Sequence, residues 1–213
     1  MKTALVAGST GLVGSQLLEL LLKDERYSKA IAISRKKLTL THSKLVNVIC
    51  ELSQFASHQK DLKADDVFCC LGTTMRQAKS KEAFRAVDFD APFSLAKISR
   101  EQGAKRFLLV SALGANKSSS IFYNRVKGEA EESIRQIGFD ASHIFRPSLL
   151  LGTRKEQRSG EEAAKVVYKF FGWLVPNKYQ AIESIKVARA MLAFANEEQF
   201  GNFVHESREM QNF

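Results

Sequence analysis

The chain has 213 residues, room for one sizeable core in one domain. A hydrophobic content of 45% excludes a disordered chain, and no apolar run approaches the ~18 residues of a membrane-spanning helix. Lys and Arg number 32 against 23 Asp and Glu, a net charge of +9, but the cations are spread along the chain rather than gathered in a tail. That distribution argues against nucleic acid and suits the steering of a small anionic ligand.

Residues 3–7 are short and apolar and are expected as a buried strand, and 15–23 carry a helix pattern. Between them lies the turn Gly8, Ser9, Thr10, Gly11, Leu12, Val13, Gly14. Glycines in such a turn allow a sharp exit from the strand, a close approach of backbone to a pyrophosphate, and tight packing of helix on sheet. The helix N-terminus adds free N–H groups and a positive dipole end. The turn is therefore the first candidate dinucleotide site. The apolar start breaks at Gly8, so it does not read as a signal peptide.

The second strand, 30–33, runs into Ser34, Arg35, Lys36 and Lys37. A site built for NAD carries Asp or Glu about 20 residues beyond the glycines, to hold the ribose hydroxyls. Counting from Gly14, that place falls at Ser34, with cations after it and no acid nearby. This predicts NADP(H) over NAD(H), with Ser34, Arg35 and Lys36 near the 2′-phosphate; the alternative is a solvated basic turn. A third strand at 45–50 is followed by Glu51 and Leu52, and a fourth at 67–71 by Gly72 and Thr73. A glycine there lets a ribose lie against the backbone, so Leu71, Gly72 and Thr73 join the candidate set. Cys50, Cys69 and Cys70 have no disulfide or zinc spacing and read as core thiols of a cytoplasmic protein.

Residues 80–102 are helical in pattern, with Pro92 expected to kink or divide the helix. A fifth strand, 105–110, ends at Ser111. A helix over 121–137 carries Tyr123 and Lys127, and a sixth strand, 141–145, ends at Arg146. Arg146 is expected either to shape the nicotinamide pocket or to end its strand in a salt bridge. The four histidines lack metal spacing, and His143, inside a strand, reads as structural. Further on come a polar loop to residue 160, helices at 161–174 and 183–196, and a last strand at 201–205. Alternating strands and helices predict an α/β, doubly wound parallel sheet in a single domain, 1–213. Residues 152–196 are expected as the substrate-side loop and helices of a small C-terminal capping segment. The candidates cluster at strand carboxyl ends, where such sheets bind ligands.

Tyr123 and Lys127 are four apart and share a helix face. A phenol, with a pKa of ~10, is a poor acid–base group near neutrality, and a neighbouring ammonium lowers that value. Ser111 would hold a substrate carbonyl, Tyr123 would protonate it, and a nicotinamide would supply hydride. Lys127 would also hold the ribose of the cofactor. By itself the spacing is also that of an ordinary surface pair.

Gly8-x-x-Gly11-x-x-Gly14, Ser111, Tyr123-x-x-x-Lys127 and Arg146-Pro147 together resemble the atypical short-chain dehydrogenase/reductases. The stretch from Tyr123 to Glu131, residues 145–152 and Arg189-Ala-Met-Leu are similar to the HIV Tat-interactive oxidoreductase family. The resemblance covers nearly the whole chain. It implies a Rossmann fold, NADPH binding and an adenine contact at Glu51. Extended members often carry an asparagine after the fourth strand, where this chain has Asp88, a departure that bears on the proton relay. Several family members act as regulators or assembly factors. Two functions are therefore expected: an NADPH-dependent reductase of a small carbonyl or enone, or a silent NADPH sensor with a protein partner. A sugar-nucleotide epimerase is a third, weaker reading, because the stretch after the sixth strand is short. Substrate identity and oligomeric state are left open.

Overall fold

The computed structural model describes residues 1–152 and 180–213. β1 (Lys2–Ala7) turns Ala4 and Val6 to one core and Leu5 and Ala7 to the other, all four fully buried. A strand covered on both faces belongs inside a parallel sheet wrapped by helices. β2 (Tyr27–Ser34), β3 (Leu45–Ile49), β4 (Asp66–Cys69), β5 (Arg106–Val110) and β6 (Ala141–Arg146) follow. β7 (Leu150–Leu151) and β8 (Ile182–Glu183) pair with each other apart from the main sheet. With β9 (Gly201–Glu206), the main sheet has seven parallel strands in the order β3-β2-β1-β4-β5-β6-β9. The chain runs outward from β1 to β3, then returns to β4 on the other side of β1. The switch point therefore lies between β1 and β4, as the expected doubly wound fold requires.

α1 (Leu12–Lys23) covers one face, burying Leu17, Leu18, Leu21 and Leu22. On the other side of the β4 end come the short α2 (Met75–Ala78) and α3 (Lys81–Arg85). A π-helical turn, Ala86–Asp90, then leads into α4 (Ala91–Glu101). Pro92 explains the turn. It has no N–H to give, and the preceding Ala91 N–H reaches back to Ala86 O, one residue further than in an α-helix. The expected helix over 80–102 is thus divided near its proline. α4 and α5 (Phe122–Arg135) cover the second face with Leu95, Ile98 and Ile134.

The helix expected at 183–196 is α6 (Ser184–Phe194). Val187, Met191 and Phe194 pack with Leu17 and Leu21 of α1 in the first core, so this helix is part of the layer that covers the sheet. Its apolar stripe is buried there by the sheet and α1. The polar loop to residue 160 and the helix expected at 161–174 lie outside the described residues beyond Gly152. The last strand is β9, at the sheet edge, followed by α7 (Ser207–Met210).

The amino ends of the strands are tied by one buried carboxylate. Asp66 accepts from the Tyr27 hydroxyl at 2.7 Å and pairs with Lys2 at 2.7 Å and Arg106 at 3.6 Å. Cys50 and Cys69 are buried thiols, as expected, and burial pushes Cys69 up to about 12; Cys70, expected in the core as well, is only partly buried, because it stands just past the carboxyl end of β4.

Candidate active site

At the carboxyl ends of β1 and β4 the chain leaves β1 through Gly8, whose φ of +80° is one that a side chain disfavours. A Cβ there would lie 2.6 Å from Cys70 O, and one on Gly14 would lie 2.2 Å from Gly8 O. Both glycines are required by the protein's own packing. Gly11 is different: among the described residues a Cβ there meets only Gly8 O, at 3.1 Å, and Cys70 O at 4.0 Å, and no side chain. Gly11 is also the N-cap of α1, and no side chain caps that end. The first-turn N–H groups are thus left for an outside acceptor, which fits a pyrophosphate. Ser9 is buried and donates to Ile33 O at 2.7 Å, pinning the turn to β2.

A cleft of about 960 Å³ runs across these strand ends. Of the expected contacts, Gly8, Thr10, Gly11, Ser34, Arg35, Glu51, Leu52, Leu71, Gly72 and Thr73 line it. Ser9, Leu12, Val13, Gly14, Lys36, Lys127 and Arg146 do not. Gln77, Val87, Asp90 and Ser94, from α2 to α4, also line it. The sequence offered no signal for these four, because the π-helical turn that brings the segment over the cleft depends on tertiary packing.

On α5, Tyr123, Lys127 and Glu131 follow one another at intervals of four and share a face. Tyr123 is half-buried, its ring 5.4 Å from that of Phe84. Lys127 is buried, with Nζ 2.8 Å from Asp88 Oδ1. Burial opposes its charge, but the Asp88 carboxylate and the nearby Tyr123 phenol outweigh it and hold the ammonium above its ordinary pKa. The other oxygen of Asp88 accepts from the Thr73 N–H at 2.9 Å. A Cβ on Gly72 would lie 3.6 Å from Lys127 Nζ, so the ammonium sits directly behind the cleft wall.

Ser111 was expected to hold a substrate oxygen. Its single proton is instead donated to Glu131 Oε1, at 2.5 Å, deep in the protein. Glu131 also accepts two hydrogen bonds from Arg146, at 3.0 and 2.6 Å, and Glu206 a third at 3.2 Å. Those carboxylates, Glu131 above all, raise the Arg146 pKa. Of the two readings offered for Arg146, the strand-ending salt bridge is the one found. Ser111, Glu131 and Arg146 bind α5 to the ends of β5 and β6. Glu131 lay within the quoted stretch, but only the fold reveals its partners. His143 is structural, stacked with Phe203 and 3.0 Å from His205.

A sequence model of the NAD(P)H-binding family matches residues 8–198. The chain belongs to that family. Within it, the chain is an atypical short-chain dehydrogenase/reductase similar to the rat protein HTATIP2. The two are 38% identical over 198 residues, 90% of this chain and 80% of the rat protein. Protein FMP52 of Coccidioides immitis is 34% identical over 209 residues, covering 91% of this chain and 85% of its own. Among solved structures, UDP-N-acetylglucosamine 4-epimerase from Methanobrevibacter ruminantium superposes with a TM-score of 0.73 at 19% identity. The match covers 96% of this chain and 76% of the epimerase. That likeness establishes the NAD(P)H-binding fold alone. FMP52 is named a mitochondrial protein, which lends no support to the cytoplasm expected from the cysteines. Among the described residues no helix is long and apolar enough to cross a membrane.

Proposed function

We propose that the chain is an NADPH-dependent oxidoreductase that reduces a small carbonyl or enone. The observation that carries this reading is the buried ammonium of Lys127, paired with Asp88 directly behind Gly72 of the cleft wall and one helical turn from Tyr123 on α5. A bound NADPH supplies the hydride. For a carbonyl, the carbon gains that hydride while Tyr123 Oη gives its proton to the oxygen, and solvent returns the proton to the phenolate. Lys127, kept charged by Asp88, stabilises the phenolate and stands within reach of the ribose side of the cleft. Ser111 acts through Glu131, holding α5 in place. The choice of NADPH rests on Arg35, which lines the cleft in a turn, Ser34 to Lys37, that itself carries no acid.

The test follows NADPH absorbance with a panel of aldehydes, ketones and enones. Tyr123→Phe should keep NADPH affinity within a few-fold and lose on the order of 10²–10⁴ in rate. Undiminished turnover in Tyr123→Phe would rule the mechanism out.

One observation favours a second reading. The two polar groups that would flank Tyr123 in catalysis are both committed inside the protein, Ser111 to Glu131 and Lys127 to Asp88. A protein that only senses NADPH and passes the signal to a partner would tolerate that arrangement. It predicts no turnover with any of the panel, and a partner whose binding changes with NADPH.

A further inference from the structure

Asn47 has no place in the chemistry above, yet its side chain is fully engaged. It lies on β3 in register with Ala32 of β2. Its Nδ2 donates to Ala32 O at 3.0 Å and to Ser34 Oγ at 2.8 Å, and its Oδ1 accepts from the Leu38 N–H at 2.8 Å. Ser34 Oγ passes the connection on, donating to Lys36 O at 2.7 Å. One amide thus ties down residues 32, 34 and 38 directly and 36 through a hydroxyl. Arg35 is held between two of those anchors, and its side chain lines the cleft mouth, exposed.

The tie has a physical purpose. Arg35, Lys36 and Lys37 are consecutive cations that repel one another, and a free turn would have to be ordered when an anion binds. Ordering costs backbone entropy, a cost that a turn already fixed does not incur on binding. The tie is neutral, so it fixes the turn without offsetting the charge of Arg35. It also leaves the Ser34 hydroxyl saturated as a donor, which makes Ser34 an anchor of the turn rather than a phosphate donor.

We propose that Asn47 is the positioning residue for cofactor selectivity, fixing turn 34–38 so that Arg35 meets the 2′-phosphate of NADPH. The inference rests on the NADPH reading above. NADH lacks that phosphate, so its binding should not sense the turn.

The experiment measures dissociation constants of NADPH and NADH by calorimetry for the parent, Asn47→Ala, Ser34→Ala, Arg35→Ala and the double variant Asn47→Ala/Arg35→Ala, each checked for a cooperative melt. The parent should favour NADPH by more than roughly tenfold, or about 1.4 kcal/mol. Asn47→Ala should weaken NADPH several-fold and leave NADH within about twofold, and the double variant should lose no more than Arg35→Ala alone. Ser34→Ala breaks the link to Lys36 and should move the ratio in the same direction, which keeps the test open if Asn47→Ala does not fold. Equal affinities in the parent overturn the NADPH reading and the inference with it. A parent that prefers NADPH while both anchor variants keep its ratio, or weaken both cofactors equally, overturns the inference alone.

Discussion

Three glycines in one turn have different duties, and the geometry separates them. Gly14 meets Gly8 O and must stay small for the turn to close, whereas Gly11 faces the cleft. Gly11→Val should therefore fold and lose nucleotide binding, while Gly14→Val should lose ~1–3 kcal/mol or more of stability, because the clash is with backbone. Thermal melts with and without NADPH check both; a folded Gly11→Val that is stabilised by NADPH as the parent is would show that the turn serves structure alone. Ser111 divides the two readings of its role in the same way. Ser111→Ala leaves a buried carboxylate short of one donor, so about 1–3 kcal/mol of stability should be lost. NADPH affinity should stay unchanged, because the hydroxyl points to Glu131 and away from the cleft.

At the level of elements, strands were the most legible part of the chain, since β1, β2, β4 and β5 each contain a short continuous apolar run of the kind a doubly covered sheet buries. The glycine turn and the spacing of Tyr123 and Lys127 were equally plain. Their partners were not. Asp88 reaches Lys127 from a π-helical turn, Glu131 reaches Ser111 and Arg146 from α5, and Asn47 reaches across from β3. Such contacts join residues far apart in sequence, and no periodicity records them. The helix at α6 was legible as an element, but its packing on α1 was not, because an apolar stripe gives a buried face without saying what buries it. Asp66 is the structural counterpart of the site, at the opposite end of the same strands. Asp66→Ala leaves Lys2 and Arg106 without their buried partner and should cost about 3–5 kcal/mol. Urea unfolding measures that loss, and NADPH affinity of the folded fraction should not change, because no cleft residue touches Asp66.

For the whole molecule, His143 sets a pH limit. Burial, then the neighbouring His205 and Arg106, push its imidazole from an ordinary 6.5 down to about 4. Between those values the unfolded chain binds a proton that the folded chain refuses, so stability falls as pH drops from 6.5 toward 4 and is unaffected above 6.5. The full effect is on the order of 3 kcal/mol. His143→Phe should flatten that part of the slope in urea titrations at several pH values; a parent slope that matches the variant's would show that His143 contributes nothing. The function itself is tested most directly by isotope transfer. NADPH carrying deuterium at the transferring position of its nicotinamide is incubated with the carbonyl and enone panel, and products are read by mass spectrometry for the parent and Tyr123→Phe. The account predicts a product that carries one deuterium on the carbon that accepts hydride, formed by the parent and reduced on the order of 10²–10⁴ in Tyr123→Phe. Product free of deuterium, or deuterated product formed equally fast by both proteins, would contradict it.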